Sequence, residues 1–233
     1  MITANVLRRV LYIKFGHSTG TGFTIDVENR QYLVTARHVC EGIGQSDSIE
    51  IRHKGQWSSR SVKVVGLGAE ERLDTDVAVL ALNEQISPAL PLEASSAKLV
   101  WGQDVFFLGF PFGLHTSVDM NEGFPIPLIK RAIMSGSIGE PGKEREVFLL
   151  DGHNNPGFSG GPVVFRPQNN SSIPFQVMGV VSAFWTEDGK VLFRGEPTEL
   201  TSTLNSGIIV CPSIAQVTEM IAANPVGPLL TRT

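Results

Sequence analysis

The chain has 233 residues, of which 42% are hydrophobic, and its formal net charge is −4. Its two cysteines and the lack of an apolar run of roughly 18 residues exclude a disulfide-framed small domain and predict no membrane span. The basic clusters, Lys130–Arg131 and 143–145, are short and indicate solvated faces, so nucleic acid is not an expected partner.

The same features predict a soluble cytoplasmic protein without a membrane partner. Arg8 and Arg9 lie inside what looks like the first strand, so no secretory leader is apparent. Cys40 and Cys211 are expected to be buried thiols. The five histidines have no carboxylate or second histidine at ligand spacing, so neither a metal nor another cofactor is predicted.

Short apolar runs separated by turn residues follow one another along the chain, which is typical of β-sandwiches and β-barrels. The first set of predicted strands covers 6–15, 22–26, 31–35, 48–52, 61–66 and 77–82. A segment containing proline and serine, 87–96, separates it from a second set. The second set covers 105–109, 132–138, 146–150, 162–165, 176–184 and 207–210.

One helix is predicted after the last strand, at about 213–223. Ser213 followed three residues later by Gln216 forms a capping-box pattern, and Asn224-Pro225 ends the helix. One apolar face at helical spacing consists of Ile214, Val217, Met220 and Ile221. This face is expected to pack on the second set of strands, and 226–233 is expected to form a loose tail.

The glycine-rich segment Asn155-Pro156-Gly157-Phe158-Ser159-Gly160-Gly161-Pro162 is the most informative motif. Its glycines allow a sharp bend that exposes the Ser159 hydroxyl and brings the amides of Gly157 and Ser159 together. Converging amides can bind an oxyanion, and an exposed serine can serve as a nucleophile if a base activates it. Ser159 could also lie in an ordinary turn, although a turn does not need this whole pattern.

His38 and Asp76 are the predicted base and orienting acid. His38 ends a hairpin that begins at Gly20-Thr21-Gly22-Phe23, and Asp76 precedes the apolar strand Val77-Ala78-Val79-Leu80. Asp74 is the alternative acid, and either could be a solvated turn former. Arg37, beside the histidine, is interpreted as a solvated charge, although it could contact substrate or pair with Asp74.

The ordered motifs at 20–39, 76–80 and 155–162 resemble the trypsin-like, chymotrypsin-fold serine peptidases, and especially their HtrA/Deg branch. The turn at 108–114 and the strand at 133–138 are similar to further motifs of that branch. This resemblance implies an all-β fold of two six-stranded antiparallel barrels with a C-terminal α-helix. The first barrel would be 1–96, carrying His38 and Asp76, and the second would be 97–233, carrying Ser159.

The chain also departs from the family pattern. Phe158 stands where trypsin has the aspartate that pairs with a freed amino terminus, so activation by cleavage is not expected. No PDZ-like segment is visible after the helix, in contrast to two-domain HtrA proteins.

The resemblance also implies a substrate-binding region. His153 would lie at the floor of the primary specificity pocket, although a structural role is equally open. Ser182, Ala183 and Phe184 would belong to the strand that pairs with the substrate backbone, and Phe184 suggests a restricted or apolar pocket. The segments 116–127 and 186–206 look like insertions near that pocket, either lids, activation loops or docking surfaces, or passive loops.

The function that follows is a serine endopeptidase acting on polypeptides through His38, Asp76 and Ser159, with Gly157 and Ser159 as the oxyanion hole. Two alternatives stay open. The chain could be a latent protease that an activating protein partner switches on, or a pseudoprotease that binds peptides without cleaving them.

Overall fold

The computed structural model describes residues 2–69, 75–116, 121–139, 145–168 and 175–231. Within these residues the chain is mostly β-strand, with α-helices near each end, which confirms the predicted fold class. None of the helices described there is long and apolar enough to cross a membrane. The cytoplasmic location and the division of the chain near residue 97 stay predictions.

The first unit is a closed six-stranded barrel. Its strands are β1 (Val10–Phe15), β2 (Ser18–Val27), β3 (Arg30–Thr35), β4 (Ser48–His53), β5 (Gln56–Leu67) and β6 (Ala78–Leu82). They are hydrogen-bonded in the order β1-β2-β3-β6-β5-β4, and β1 pairs again with β4 to close the ring. Alternate apolar side chains of each strand, such as Leu11, Ile13 and Leu33, fill the interior.

The chain start differs from the prediction of one strand over 6–15. Residues Ala4–Leu7 form a short helix, α1, and β1 begins only at Val10. Val6 is fully buried in the core between the two units, so tertiary packing outweighs its preference for a strand.

The second unit is an eight-stranded sheet in the order β13-β14-β10-β9-β8-β11-β12-β7. Its strands are β7 (Glu93–Ala94), β8 (Asp104–Gly109), β9 (Leu128–Ile138), β10 (Val147–Asp151), β11 (Pro162–Phe165), β12 (Gln176–Val180), β13 (Ala183–Phe193) and β14 (Glu196–Pro212). The six predicted strands become eight because the predicted strand 176–184 bends at Val181–Ser182 and because β7 joins the edge. Since β12 pairs with β11 and β13 pairs with β14, this bend links the two ends of the sheet.

The segment 186–206, predicted as an inserted loop, forms a long β-hairpin. β13 and β14 pair from Ala183–Val210 out to Phe193–Glu196. The turn consists of Arg194 and Gly195, both with positive φ (54° and 88°), as the tight turns of hairpins require. Arginine is not a usual residue at this position, so the sequence carries no clear turn signal.

The predicted C-terminal helix is confirmed as α2 (Ile214–Ala223). The Ser213 hydroxyl accepts a hydrogen bond from the Ala215 amide at 3.3 Å, which caps the helix. The helix packs on β12 of the second unit, as predicted, and also on β5 and β6 of the first barrel.

The tail is also not loose where it is described. The Leu230 amide donates to the Asn29 carbonyl at 2.9 Å, and the Gln31 amide donates to the Pro228 carbonyl at 3.0 Å. Cys40 and Cys211 are buried free thiols, as predicted. Burial is the main cause that raises the pKa of Cys40 to about 12.

A buried charge cluster ties the segment between the units to the first barrel. Arg9 is 1% exposed and donates to Asp26 at 3.0 Å and to the Leu90 carbonyl at 2.5 Å. Gln31 donates to Asp26 at 3.1 Å and to the Ser87 carbonyl at 3.0 Å. The segment 87–90 is therefore held by the side chain of Arg9, which precedes β1, and by that of Gln31 on β3.

Asp26→Ala should lower the free energy of unfolding by about 3 kcal/mol, because it leaves the Arg9 guanidinium buried without its counter-charge. Urea denaturation measures this loss. The double variant Arg9→Met/Asp26→Leu removes both charges and should recover most of it. A double variant no more stable than Asp26→Ala would contradict this account.

Candidate active site

His38 lies where β3 gives way to a short 3₁₀-helix, Arg37–Cys40. Val39 and Cys40 are buried and anchor this turn in the first barrel, whereas His38 faces outward. Its Nδ1 lies 2.7 Å from Asp76 Oδ2, and the side chain is 49% exposed. The Nδ1 contact fixes the ring orientation and leaves Nε2 on the opposite side of the imidazole.

Asp76 precedes β6 and accepts three hydrogen bonds. The His38 amide donates to Oδ1 at 3.0 Å, His38 Nδ1 contacts Oδ2, and the Ser182 hydroxyl donates to Oδ2 at 2.6 Å. Burial alone would raise the pKa of Asp76, but the hydrogen bonds and charge interaction with His38 and the bond from Ser182 together lower it. The carboxylate is therefore stabilised in its ionised form.

The competing acid, Asp74, lies outside the described residues, so the choice between it and Asp76 rests on the contacts of Asp76. Arg37 is half-buried, and its guanidinium donates to the Gly68 carbonyl. It is therefore not the purely solvated charge that one interpretation expected.

Ser159 lies in a tight loop in which only some of the backbone amides donate hydrogen bonds within the protein. The Phe158 amide donates to the Asn155 carbonyl at 3.2 Å, and the Gly160 amide donates to the Val181 carbonyl at 2.7 Å. In the described part of the chain, the amides of Gly157 and Ser159 donate to no protein acceptor. These are the two amides predicted to bind an oxyanion.

The conformation of this loop depends on glycine at two positions. Gly157 has φ of +104°, and a Cβ there would lie 2.4 Å from the Phe110 carbonyl oxygen. Gly160 has φ of +84°, and a Cβ there would lie 2.1 Å from the Thr21 carbonyl oxygen. The Pro156 carbonyl accepts from the Phe112 amide at 3.0 Å, so the Gly157 N–H, which is anti to that carbonyl, faces away from Phe112.

Thr21 joins the two units directly at this loop. Its amide donates to the Ser159 carbonyl at 2.9 Å, and its hydroxyl donates to the Gly157 carbonyl at 2.7 Å. The same hydroxyl accepts from the Phe110 amide at 3.1 Å. The role of Thr21 has no sequence signal of its own, although the flanking Gly20 and Gly22 indicate a close backbone approach.

Ser182 was predicted to bind substrate, but its contacts are with the other site residues. Its side chain is bonded to Asp76, and its carbonyl accepts from the Ser159 hydroxyl at 3.2 Å. Ser182 therefore connects the carboxylate with the serine. Among the described contacts, the Ser159 hydroxyl is bonded to this carbonyl and not to His38.

The other predicted substrate-binding residues lie near the same loop. Ala183 and Phe184 are half-buried at the start of β13. His153 is exposed. Its backbone carbonyl, rather than its ring, accepts a hydrogen bond from the Lys130 ammonium. Their role in substrate binding stays a prediction.

Lys130 was predicted to be part of a solvated basic face, but it is half-buried beneath the serine loop. It donates to the His153 carbonyl and, at 3.1 Å, to Asn155 Oδ1. Its ammonium lies 5.9 Å from the ring of Phe158, which packs edge-on against Phe107. Burial lowers the pKa of Lys130. No sequence pattern marked this residue, because its partners come from distant segments.

Comparison with known proteins agrees with the architecture and the motifs. A family model described as a trypsin-like peptidase domain matches residues 20–170. Protease Do-like 1, chloroplastic, from Arabidopsis thaliana is 34% identical over 148 residues, which are 63% of this chain. Those residues span only 30% of the length of that relative.

Solved structures share the fold at low sequence identity. The Rv3671c protease of M. tuberculosis in an inactive form is 20% identical, with a TM-score of 0.56, over 95% of this chain and 91% of its own. An HtrA-type protease, an AlgW variant with a tripeptide, is also 20% identical, with a TM-score of 0.58, over 94% of this chain and 61% of its own. Taken together, these similarities confirm the predicted resemblance to trypsin-like peptidases and the HtrA/Deg branch.

The lowered pKa of Asp76 predicts how stability depends on pH. Since the folded-state pKa lies below the ordinary value of 3.8, the stabilisation is complete at neutral pH and is lost as the pH falls through the folded-state value. Asp76→Asn should therefore be less stable than wild type at pH 7, and the difference should shrink as the pH is lowered toward 2 or 3. Urea denaturation at a series of pH values measures it. A difference that grows as the pH is lowered below 4 would contradict the assignment.

Proposed function

The chain belongs to the trypsin-like peptidase family, and we propose that it is a serine endopeptidase that cleaves polypeptides through His38, Asp76 and Ser159. The observation that carries this proposal is the chain of hydrogen bonds that links His38, Asp76, Ser182 and Ser159. Asp76 receives bonds from His38 and Ser182, and Ser182 in turn accepts the bond from Ser159. This arrangement supports a single reacting centre built from residues of both units.

In the proposed reaction, Ser159 Oγ attacks the carbonyl carbon of the scissile peptide bond while His38 Nε2 takes the hydroxyl proton. Asp76 stabilises the imidazolium that forms. The amides of Gly157 and Ser159 bind the developing oxyanion, and the fact that neither donates to an acceptor among the described residues supports this role. His38 then gives the proton to the leaving amine, and water, deprotonated by His38, hydrolyses the acyl-enzyme.

One observation favours a latent form of this enzyme as a second candidate. The Ser159 hydroxyl donates to the Ser182 carbonyl, so it has to turn toward His38 before proton transfer. An activating protein partner that favours the turned hydroxyl would accelerate acylation. A pseudoprotease that binds peptides without cleavage is the outcome expected if the hydroxyl never reacts.

Labelling with a fluorophosphonate probe distinguishes these possibilities. Wild type should become labelled at Ser159, whereas Ser159→Ala should not, because the probe needs an activated hydroxyl. His38→Ala is the matched control for activation by the base and should slow labelling at least about a hundredfold. Circular dichroism would confirm that each variant is folded.

The possible outcomes separate the candidates. Labelling at a residue other than Ser159 would contradict the proposal. Labelling that appears only when candidate protein partners are added would support the latent enzyme. A folded wild type that stays unlabelled under both conditions would support the pseudoprotease.

We propose that Lys130 positions the loop that contains Gly157 and Ser159, because it donates hydrogen bonds to both His153 and Asn155 at the base of that loop. Lys130→Met keeps the length of the side chain but removes both hydrogen bonds. The labelling rate should therefore fall about tenfold, which is less than the loss expected when an oxyanion donor itself is removed. Arg131→Met is the control, since Arg131 is exposed on the same strand. Equal rates for the two variants would contradict this role.

A further inference from the structure

The hairpin formed by β13 and β14 projects from the second unit and has one open edge. β13 (Ala183–Phe193) is the end strand of its sheet and pairs only with β14 among the described strands. Every residue from 185 to 193 except Gly189 is exposed. A two-stranded hairpin is only marginally stable in water, and pairing with a further strand stabilises it.

Two side-chain bonds show which residues of β13 face the open edge. The Ser206 hydroxyl donates to the Trp185 carbonyl, and the Thr198 hydroxyl donates to the Val191 carbonyl, both at 2.8 Å. Both donors belong to β14, so residues 185 and 191 direct their carbonyls toward β14. Because backbone groups alternate along a strand, the even-numbered residues from 186 to 192 direct theirs to the open edge.

β13 lacks the features that normally prevent an edge strand from pairing with another chain. It contains no proline and no residue with positive φ. Its register with β14 shifts at two places, but at each of them β13 advances by two residues while β14 advances by four. The bulges therefore lie in β14, and the edge of β13 is regular enough to accept a further strand.

The charges on β13 identify a second copy of the same strand as the partner. Asp188 and Lys190 are exposed and project from one face of the strand. The Thr203 hydroxyl donates to Asp188 Oδ1 at 3.1 Å, which places the carboxylate on that face. When two copies pair antiparallel about Gly189, Asp188 of each copy lies opposite Lys190 of the other. Pairing about position 188 or 190 places like charges opposite each other, so the charges select the register centred on Gly189.

We propose that this protein forms a symmetric dimer in which the β13 strands of two copies pair antiparallel about Gly189. Thr186 then pairs with Leu192 of the second copy, and Asp188 pairs with Lys190, each through two backbone hydrogen bonds. The two-fold axis repeats both pairs, so the two hairpins form one four-stranded sheet. This inference goes beyond the proposed function and does not depend on it, because it requires no chemistry at Ser159.

The aromatic side chains of β13 support the same register. Trp185 and Phe193 lie on the face opposite to that of Asp188, and they are 53% and 67% exposed. Pairing about Gly189 places Trp185 of each copy opposite Phe193 of the other. Cross-strand aromatic pairs of this kind stabilise antiparallel sheets, and here they also remove apolar surface from water.

Reversal of the two charges tests the dimer and its register. Sedimentation equilibrium over a range of protein concentrations gives the Kd of the dimer, with all variants made in Ser159→Ala so that self-cleavage does not interfere. Asp188→Lys and Lys190→Asp each place like charges opposite each other, so each should raise the Kd at least about tenfold. The double variant Asp188→Lys/Lys190→Asp restores opposite charges and should recover the Kd of the parent. An equal mixture of the two single variants should form a mixed dimer for the same reason.

Glu199→Lys is the matched control, because Glu199 is exposed on β14 and not on the open edge of β13. This variant should keep the parental Kd, and circular dichroism would confirm that every variant is folded. A parent protein that sediments as a single chain at all concentrations would overturn the proposal. A dimer whose Kd is unchanged in both single variants, or is not recovered in the double variant, would overturn it as well.

A disulfide tests the position of the two-fold axis. In the proposed pairing the two Gly189 residues form a non-hydrogen-bonded pair, in which the Cβ atoms are close enough for a disulfide. A Cβ at Gly189 would lie 2.9 Å from Leu204 Cδ1, the end of a flexible side chain, so Gly189→Cys is tolerated. Mild oxidation should link Gly189→Cys into a covalent dimer, because the native Cys40 and Cys211 are buried and do not compete.

Glu187→Cys is the control for this cross-link. Residue 187 lies opposite residue 191 of the second copy, so the two introduced thiols are four positions apart along the strand and too distant to join. Covalent dimer on a non-reducing gel should therefore appear with Gly189→Cys and not with Glu187→Cys. Equal cross-linking of the two variants, or none in Gly189→Cys at concentrations where the parent is dimeric, would overturn the proposed pairing.

Discussion

The arrangement of the site depends on the Asp76 carboxylate, which accepts hydrogen bonds from both β-units. His38 approaches it from the first barrel and Ser182 from the second. Transfer of a carboxylate out of water is costly, and here three hydrogen bonds offset that cost and keep the group ionised. The relative position of the two units is thus coupled to the charge that the proposed mechanism needs.

Close backbone approach makes this geometry possible. Thr21 bonds to the carbonyls on either side of Phe158, and Gly160 has no room for a Cβ beside the Thr21 carbonyl. Lys130, which bonds to Asn155, and the buried ring of Phe158 pack at the base of the same loop. Trypsin uses a charge pair with a freed amino terminus at the position of Phe158. Here an aromatic ring and a cation occupy the base of the loop instead.

Much of the fold followed from local patterns. The strands, the capped helix and the motifs around His38, Asp76 and Ser159 depend on neighbouring residues, which sequence periodicity and glycine spacing indicate. The roles of Thr21, Lys130 and Ser182 could not be predicted, because their partners lie on other strands. The hairpin after Phe184 is not evident from the sequence, because the bulges of β14 break the two-residue alternation and Arg194-Gly195 is an uncommon turn pair.

In the proposed mechanism, the Ser159 Oγ receives the acyl group, and His38 and Asp76 activate it. Burst titration with a p-nitrophenyl ester tests it most directly, since it counts the acyl groups transferred and mass spectrometry locates them. The account predicts a burst of one equivalent of nitrophenol per chain, with the acyl group on Ser159 and no burst in Ser159→Ala. A burst retained in Ser159→Ala, or an acyl group found on another residue, would contradict it.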